Sequence, residues 1–324
     1  MSELIRIRRL DDVTSADIAE VGGKNASLGE MIRALQETGI RVPTGFATTA
    51  AAYKEFLEAN ALPDRIRTEI EKYESGQQPL EETGSRIRQA FRESQFPDEL
   101  NDALRKAYCD LSKHKKVKEA TVAVRSSATA EDLPEASFAG QLESYLNVRG
   151  EDDLLAACQS AFASLYTDRA IAYRREHGFD QLRVALSIGV QLMVRADRAS
   201  AGVMFSIDTE TGFPNVVVIN AGWGLGESVV QGTIDPDEYR VFKPLLRNDL
   251  RPIIGKSLGS KLLKVVFARG GNARTKSVKT PKHQRDEWVL SEEEILQLAR
   301  WAVAIQEHYD KPMDMETGMA RFKQ

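Results

Sequence analysis

Residues 121–141 read TVAVRSSATAEDLPEASFAGQ, and the texture of the chain changes there. TVAVRSS alternates β-branched and apolar residues and predicts a strand; the segment after it, rich in small and acidic residues, predicts a loop. Upstream, residues 60–118 are charged and mostly helical in pattern, with breaks near Ser75-Gly76 and Phe96-Pro97. Downstream, SYLNV (144–148) predicts a second strand, 151–177 a long helical stretch, and RVALSIGVQLMV (183–194) a buried strand. From 200 to 242, β-branched runs alternate with glycine turns, as AGVMFSID, NVVVINAGWGLGE and DEYRVF, which is antiparallel sheet texture. Mixed helix and strand giving way to sheet near Gln191–Val194 predicts an α+β protein with two lobes, 1–194 and 195–324.

Towards the start, Leu28, Met31, Ile32 and Leu35 share one face of a predicted helix over 25–38, and Gly39 stands as its stop. RVPTGFATT (41–49) reads as a turn and short strand, and AAAYKEFLEAN (50–60) as a helix. Near the end, Ser291 and Glu294 form a capping-box pattern ahead of Ile295, Leu298, Ala299, Ala302 and Ile305.

The chain has 324 residues, 42% hydrophobic and 28% charged, an ordinary globular composition long enough for two lobes. Its net charge of −4 offers no general attraction to nucleic acid or anionic membrane, so an anion site has to be built locally. Aromatic residues are 7% of the chain and do not interleave with basic ones, which argues against a nucleic-acid platform. No run approaches the roughly 20 apolar residues of a membrane span, and MSELIRIRRLDDV turns charged too soon for a secretory signal. Cys109 and Cys158 lack metal or redox spacing and fit a reducing cytoplasm.

Three constellations carry chemistry. Gly22-Gly23-Lys24-Asn25 precedes a helix: the glycines admit a ligand close to the backbone, the helix N-terminus offers free N–H groups, and Lys24 adds a point charge suited to phosphate. The same tetrapeptide also reads as a loop with a solvated lysine. Arg125, in VRSSAT at the end of a strand, offers a planar fork for phosphate oxygens beside three hydroxyls. Asp314-Met315-Glu316 puts two carboxylates on one side of an extended segment, a hard-oxygen pair that suits Mg²⁺ but is also common on surfaces.

Other patterns fail on inspection. Gly222-Trp223-Gly224-Leu225-Gly226 follows a strand like a dinucleotide fingerprint, but Glu227 holds the third glycine position and SVVQGTIDP is a poor helix. Gly255-Lys256-Ser257 lacks the leading glycine of a P-loop, and Thr275 replaces the glycine before Lys276-Ser277. His114, His177, His283 and His308 all lie outside glycine- and threonine-rich loops and read as surface or packing residues.

VGGKNASLGEM, RVPTGFATTAAAY, AVRSSATAEDLPEASFAGQ, AGVMFSID, NAGWGLGESVVQGTIDPDEY and DKPMDME, in this order, resemble the N-terminal domain of the phosphoenolpyruvate synthase (pyruvate, water dikinase) family. Pyruvate phosphate dikinase and rifampicin phosphotransferase share that domain. The resemblance runs from about residue 19 to 316 and implies an ATP-grasp fold, with mixed or antiparallel sheets in two lobes and ATP in the cleft between them. It implies that Lys24 and Arg125 hold the phosphates, that Gly140 and Ser144 line the phosphate end, and that Gln191 meets the adenine region. Glu316, assisted by Asp314, would bind Mg²⁺. In the family, a histidine on a mobile domain takes the β-phosphoryl of ATP and carries it to a pyruvate/phosphoenolpyruvate-binding barrel.

After DME the family continues with a tryptophan and a strand ending in Gln-x-Arg-Pro, whereas here TGMARFKQ follows. The resemblance thus places the residues completing the ATP site, the histidine domain and the barrel outside this chain. The sequence reads as a component of a longer or multi-subunit phosphotransferase. Related acceptors, as in phenylphosphate synthase, and a non-catalytic nucleotide-binding module stay open alternatives.

Overall fold

In the computed structural model, which describes residues 4–129, 132–133, 136–137, 143–246, 250–268 and 274–320, the chain divides into two compact units. One comprises Met1–Gln36 and Arg41–Met193, the other Glu37–Ile40 and Val194–Gln324.

The first unit begins with β1 (Ile7–Arg9), α1 (Ile18–Ala34), β2 (Gly45–Thr48) and α2 (Ala50–Ala59). Three helices follow, α3 (Leu62–Glu74), α4 (Leu80–Glu93) and α5 (Asp98–His114), separated near Ser75-Gly76 and Phe96-Pro97 as the breaks predicted. Then come β3 (Val122–Ala128), the two-residue β4 (Asp132–Leu133) and β5 (Ala136–Ser137), β6 (Ser144–Val148), α6 (Glu151–Ala163), α7 (Asp168–Glu176) and β7 (Leu186–Leu192). The helical stretch expected over 151–177 is two helices. Thr167 is extended at φ −64°, ψ 151° and its hydroxyl accepts from the Ala170 N–H, capping α7 after a 3₁₀ turn has closed α6.

The sheet order is β1-β2-β7-β3-β6, antiparallel throughout. Alternation along β3 and β7 sends Val122, Val124, Ala128, Leu186, Ile188 and Val190 into a core shared with Phe56, Phe91, Phe162 and Tyr166 from the helices. The rings of Phe56 and Phe162 lie 5.4 Å apart, and those of Phe91 and Tyr166 likewise. On the opposite face Ala47 of β2 joins Val21 and Ala26 of α1, with Leu10 and Val13, in a smaller cluster. The sheet therefore has a helical core on one side and α1 on the other.

The second unit contains β8 (Ser200–Phe205), β9 (Val216–Trp223), α8 (Glu227–Val230), β10 (Asp237–Phe242), β11 (Ile253–Ser257), β12 (Leu263–Phe267), β13 (Thr275–Lys279), α9 (Lys282–Arg285), α10 (Glu292–Tyr309) and β14 (Asp314–Met319). Its sheet runs β11-β10-β9-β8-β14, again antiparallel, and β12 pairs with β13 as a separate ribbon. The predicted capping box starts α10: the Ser291 hydroxyl accepts from the Glu294 N–H at 3.2 Å, and Glu294 accepts from the Ser291 N–H at 2.8 Å. The five apolar residues read as its face, from Ile295 to Ile305, are buried. Asp237 and Lys261 form a fully buried ion pair. Asp237 also accepts from the backbone N–H groups of Gly259 (2.9 Å) and Val289 (2.8 Å), the extra bonds that a buried pair requires. No helix among the described residues is long and apolar enough to cross a membrane.

Candidate functional site

The site starts from strand register. Ala47, Gly189, Arg125 and Ser144 are successive cross-strand partners on β2, β7, β3 and β6. The next rows hold Gly45, Gln191 and Ala123, then Ser187 and Ser127. Directly opposed residues share a face, and Val122 and Val124 occupy the core side, so these rows form the other face, where α1 packs. Arg125 is half-buried there, and its immediate cross-strand neighbours, Gly189 and Ser144, are small.

The glycines of GGKN have a specific role. Gly22 adopts φ +77°, kinking α1, and a Cβ there would stand 2.3 Å from Ser127 Oγ and 2.6 Å from the Ser127 carbonyl oxygen. The turn that follows reaches β3 only because residue 22 has no side chain. α1 is thus longer at its start than the helix predicted over 25–38 and ends at Ala34, before a 3₁₀ turn at Gln36–Thr38 and the left-handed Gly39 at φ +78°. Lys24 is exposed on the docked turn.

Four candidates from distant parts of the sequence, Lys24, Arg125, Ser144 and Gln191, therefore come to one face of one sheet. Gln191 is 9% exposed and its amide nitrogen donates to the Pro43 carbonyl at 2.8 Å, which fixes the side chain against the segment leading into β2. Ser144 is exposed at the start of β6, and Gly140 lies outside the described residues. Asp314 and Glu316 belong to the second unit. They lie on the edge strand β14, both exposed on one side with Met315 buried between them, and they pair with Phe205 and Val203 of β8.

The sequence does not single out Ser187 or Gly189 or give Asn25 a task of its own, and it reads Ser127 as one of three hydroxyls beside Arg125, whereas in the structure Ser127 faces the Gly22 turn. A small residue in a strand is a weak signal until its cross-strand neighbour is known. The discounted motifs have other tasks. Gly224 sits at φ +89° where a Cβ would meet the Val265 carbonyl oxygen at 2.4 Å, and the Leu225 N–H donates to that oxygen at 2.9 Å. The GWGLG glycine thus admits the β12 backbone. Lys264 beside it donates to Gln284 Oε1 at 2.8 Å, and burial holds its pKa below the usual lysine value. Gly255-Lys256-Ser257 lies within β11 and Lys276-Ser277 within β13, so neither opens a helix. Of the histidines, His114 and His177 stand at the ends of α5 and α7, His283 in α9 and His308 in α10.

Comparison with known proteins agrees with this architecture. The family described as pyruvate phosphate dikinase, AMP/ATP-binding domain, matches residues 18–323. The chain is 50% identical over 319 residues to a phosphoenolpyruvate synthase of Synechocystis sp., covering 94% of this chain and 39% of the relative. It is 50% identical over 314 residues to that of Aquifex aeolicus, covering 95% and 37%, and 49% identical over 303 residues to that of Escherichia coli, covering 93% and 38%. The chain spans about two fifths of the length of these curated relatives. By its match over nearly every residue, the chain belongs to the pyruvate phosphate dikinase AMP/ATP-binding domain family.

Proposed function

We propose that the chain is the ATP-binding domain of a phosphoenolpyruvate synthase, an ATP-grasp module that passes the β-phosphoryl of ATP to a histidine on a separate domain. The overall reaction would convert ATP, pyruvate and water to AMP, phosphoenolpyruvate and phosphate. The lobes would be 1–194 and 195–324, and the two unpaired thiols suit a cytoplasmic setting. The observation that carries this reading is the single sheet face gathering Arg125, Ser144, Gln191 and the Lys24 turn, in a chain about half identical to named synthases.

Phosphoryl transfer demands positioning and neutralisation of oxygen charge more than covalent work by the protein. Arg125 would engage two phosphate oxygens with its planar fork, and Lys24 would add a mobile point charge from the helix turn. Ser144 and Gly140 would line the phosphate end, and Gln191, held by Pro43, would border the base. Asp314 and Glu316 fit Mg²⁺: both offer hard oxygens on one exposed side of β14. Among the described residues no cluster of three or more His, Cys, Asp or Glu side chains forms a metal site, so the remaining ligands would be phosphate oxygens and water. Bound there, Mg²⁺ supplies charge neutralisation at the phosphates.

Titration calorimetry with Mg-ATP tests the proposal. Lys24→Ala and Arg125→Ala are each expected to raise Kd at least about tenfold, the loss of one charge-assisted hydrogen bond. Mixed with a histidine domain from a related synthase, the wild-type chain should label that histidine from β-labelled ATP. Affinity unchanged in both variants would overturn the site.

A further inference from the structure

We infer that Asn25 is a positioning residue that sets where Lys24 stands over the Arg125 row, an inference that rests on the ATP reading above. Asn25 is 2% exposed. Its side-chain nitrogen donates to the Val21 carbonyl at 3.0 Å and to Ser187 Oγ at 2.9 Å, which uses both amide hydrogens. Its backbone N–H points to Ser127 Oγ at 3.5 Å. Ser187 Oγ donates onward to the Thr48 carbonyl at 2.6 Å. A continuous buried chain of hydrogen bonds thus ties the turn of α1 just after its Gly22 kink to β7 and through it to β2, with β3 at its flank.

The fit around this asparagine is close. A Cβ on Gly189 would lie 2.2 Å from Asn25 Oδ1, so the carboxamide occupies the space that a larger strand residue would fill. Gly189 is also the cross-strand partner of Arg125. The same glycine therefore faces the asparagine and pairs with the proposed phosphate-binding arginine. An apolar residue at 25 would hold the turn to the sheet by packing alone, which is non-directional. The bond to Val21, within α1, fixes the orientation of the carboxamide, and the bond to Ser187 on β7 then holds the turn to the sheet at a set distance and direction. Lysine has a flexible stem, so the volume its ammonium samples is set by where its Cα is held.

The test is a double-mutant cycle on the full chain, read as Mg-ATP affinity by calorimetry with urea unfolding as a folding control. Asn25→Ala is expected to weaken Mg-ATP by on the order of tenfold to a hundredfold in the Lys24 background. In the Lys24→Ala background the same change should cost less than about threefold, because the group being positioned is gone. Ser187→Ala, which removes the hydroxyl that accepts from Asn25 and donates to Thr48, should repeat this pattern at smaller size and carries the test if Asn25→Ala does not fold. Equal losses in both backgrounds, with Lys24→Ala itself harmful, would overturn the positioning role and leave the site intact. Lys24→Ala without effect on Mg-ATP would overturn this inference, and the ATP reading with it only if Arg125→Ala is also without effect.

Discussion

At the scale of single residues, burial decides chemistry that composition leaves open. Cys158 is wholly buried in the core of the first unit, and desolvation pushes its thiol up to about 12. Cys109, on α5, is half-exposed. Native protein at pH 8 should therefore release one equivalent of thiol to an aromatic disulfide reagent quickly and a second only after denaturation, since the thiolate is the reactive form. Two fast equivalents would contradict the burial of Cys158. The cysteine spacing already argued against metal or redox roles, but which thiol is inert is a property of packing. The buried pair of Asp237 and Lys261 makes the same point: in sequence both look like surface charges, and their partners, Gly259 and Val289, come from separate segments.

Elements were the most legible scale where a local pattern contained its own explanation. The Ser291/Glu294 capping box needs only residues three apart, and α10 begins where it says. Ser291→Ala should lower stability by about 1 kcal/mol, read as a shift in the urea midpoint with unchanged slope. No shift would mean that the packed face of α10 alone holds its start. The sequence predicts one stretch over 151–177 because apolar periodicity persists through the break between α6 and α7, and the capping by Thr167 is a weaker signal than the hydrophobic run around it. The sequence predicts a later start for α1 because Gly22 and Gly23 depress helix propensity, whereas the backbone there is held by contact with Ser127.

For the whole molecule, titration follows from the same packing. At Asp17 the carboxylate sits below its ordinary value of 3.8 because the Thr14 N–H and hydroxyl donate to it. At Asp11 and Glu69 burial works the other way, but hydrogen bonds from Thr44 and Arg9, and from Lys72 and Gln78, outweigh it. These depressed groups contribute stability that is complete above the unfolded carboxylate range and lost as pH falls through the folded values. Tyr53, Tyr108 and Tyr166 are raised above 10.0 by burial. Their contribution is complete below that unfolded value and lost as pH rises through the folded ones. The urea midpoint should be level between about pH 5 and about pH 9 and fall on both sides. A decline already under way at pH 7 on acidification would show that these carboxylates are not the controlling groups.

The amino-acid order by itself determined the antiparallel texture, most helix breaks, the α10 cap and the family resemblance, because each depends on residues near one another in the chain. Only the tertiary structure decided that Arg125 and Ser144 share a row with Gly189, and that Asn25 meets Ser187 across 162 positions. Strand register is the reason. A shift of one residue would turn Arg125, Ser144 and Ser187 to the opposite face, and that choice is made by the joint burial of Val122, Val124, Ile188 and Val190 against the helices.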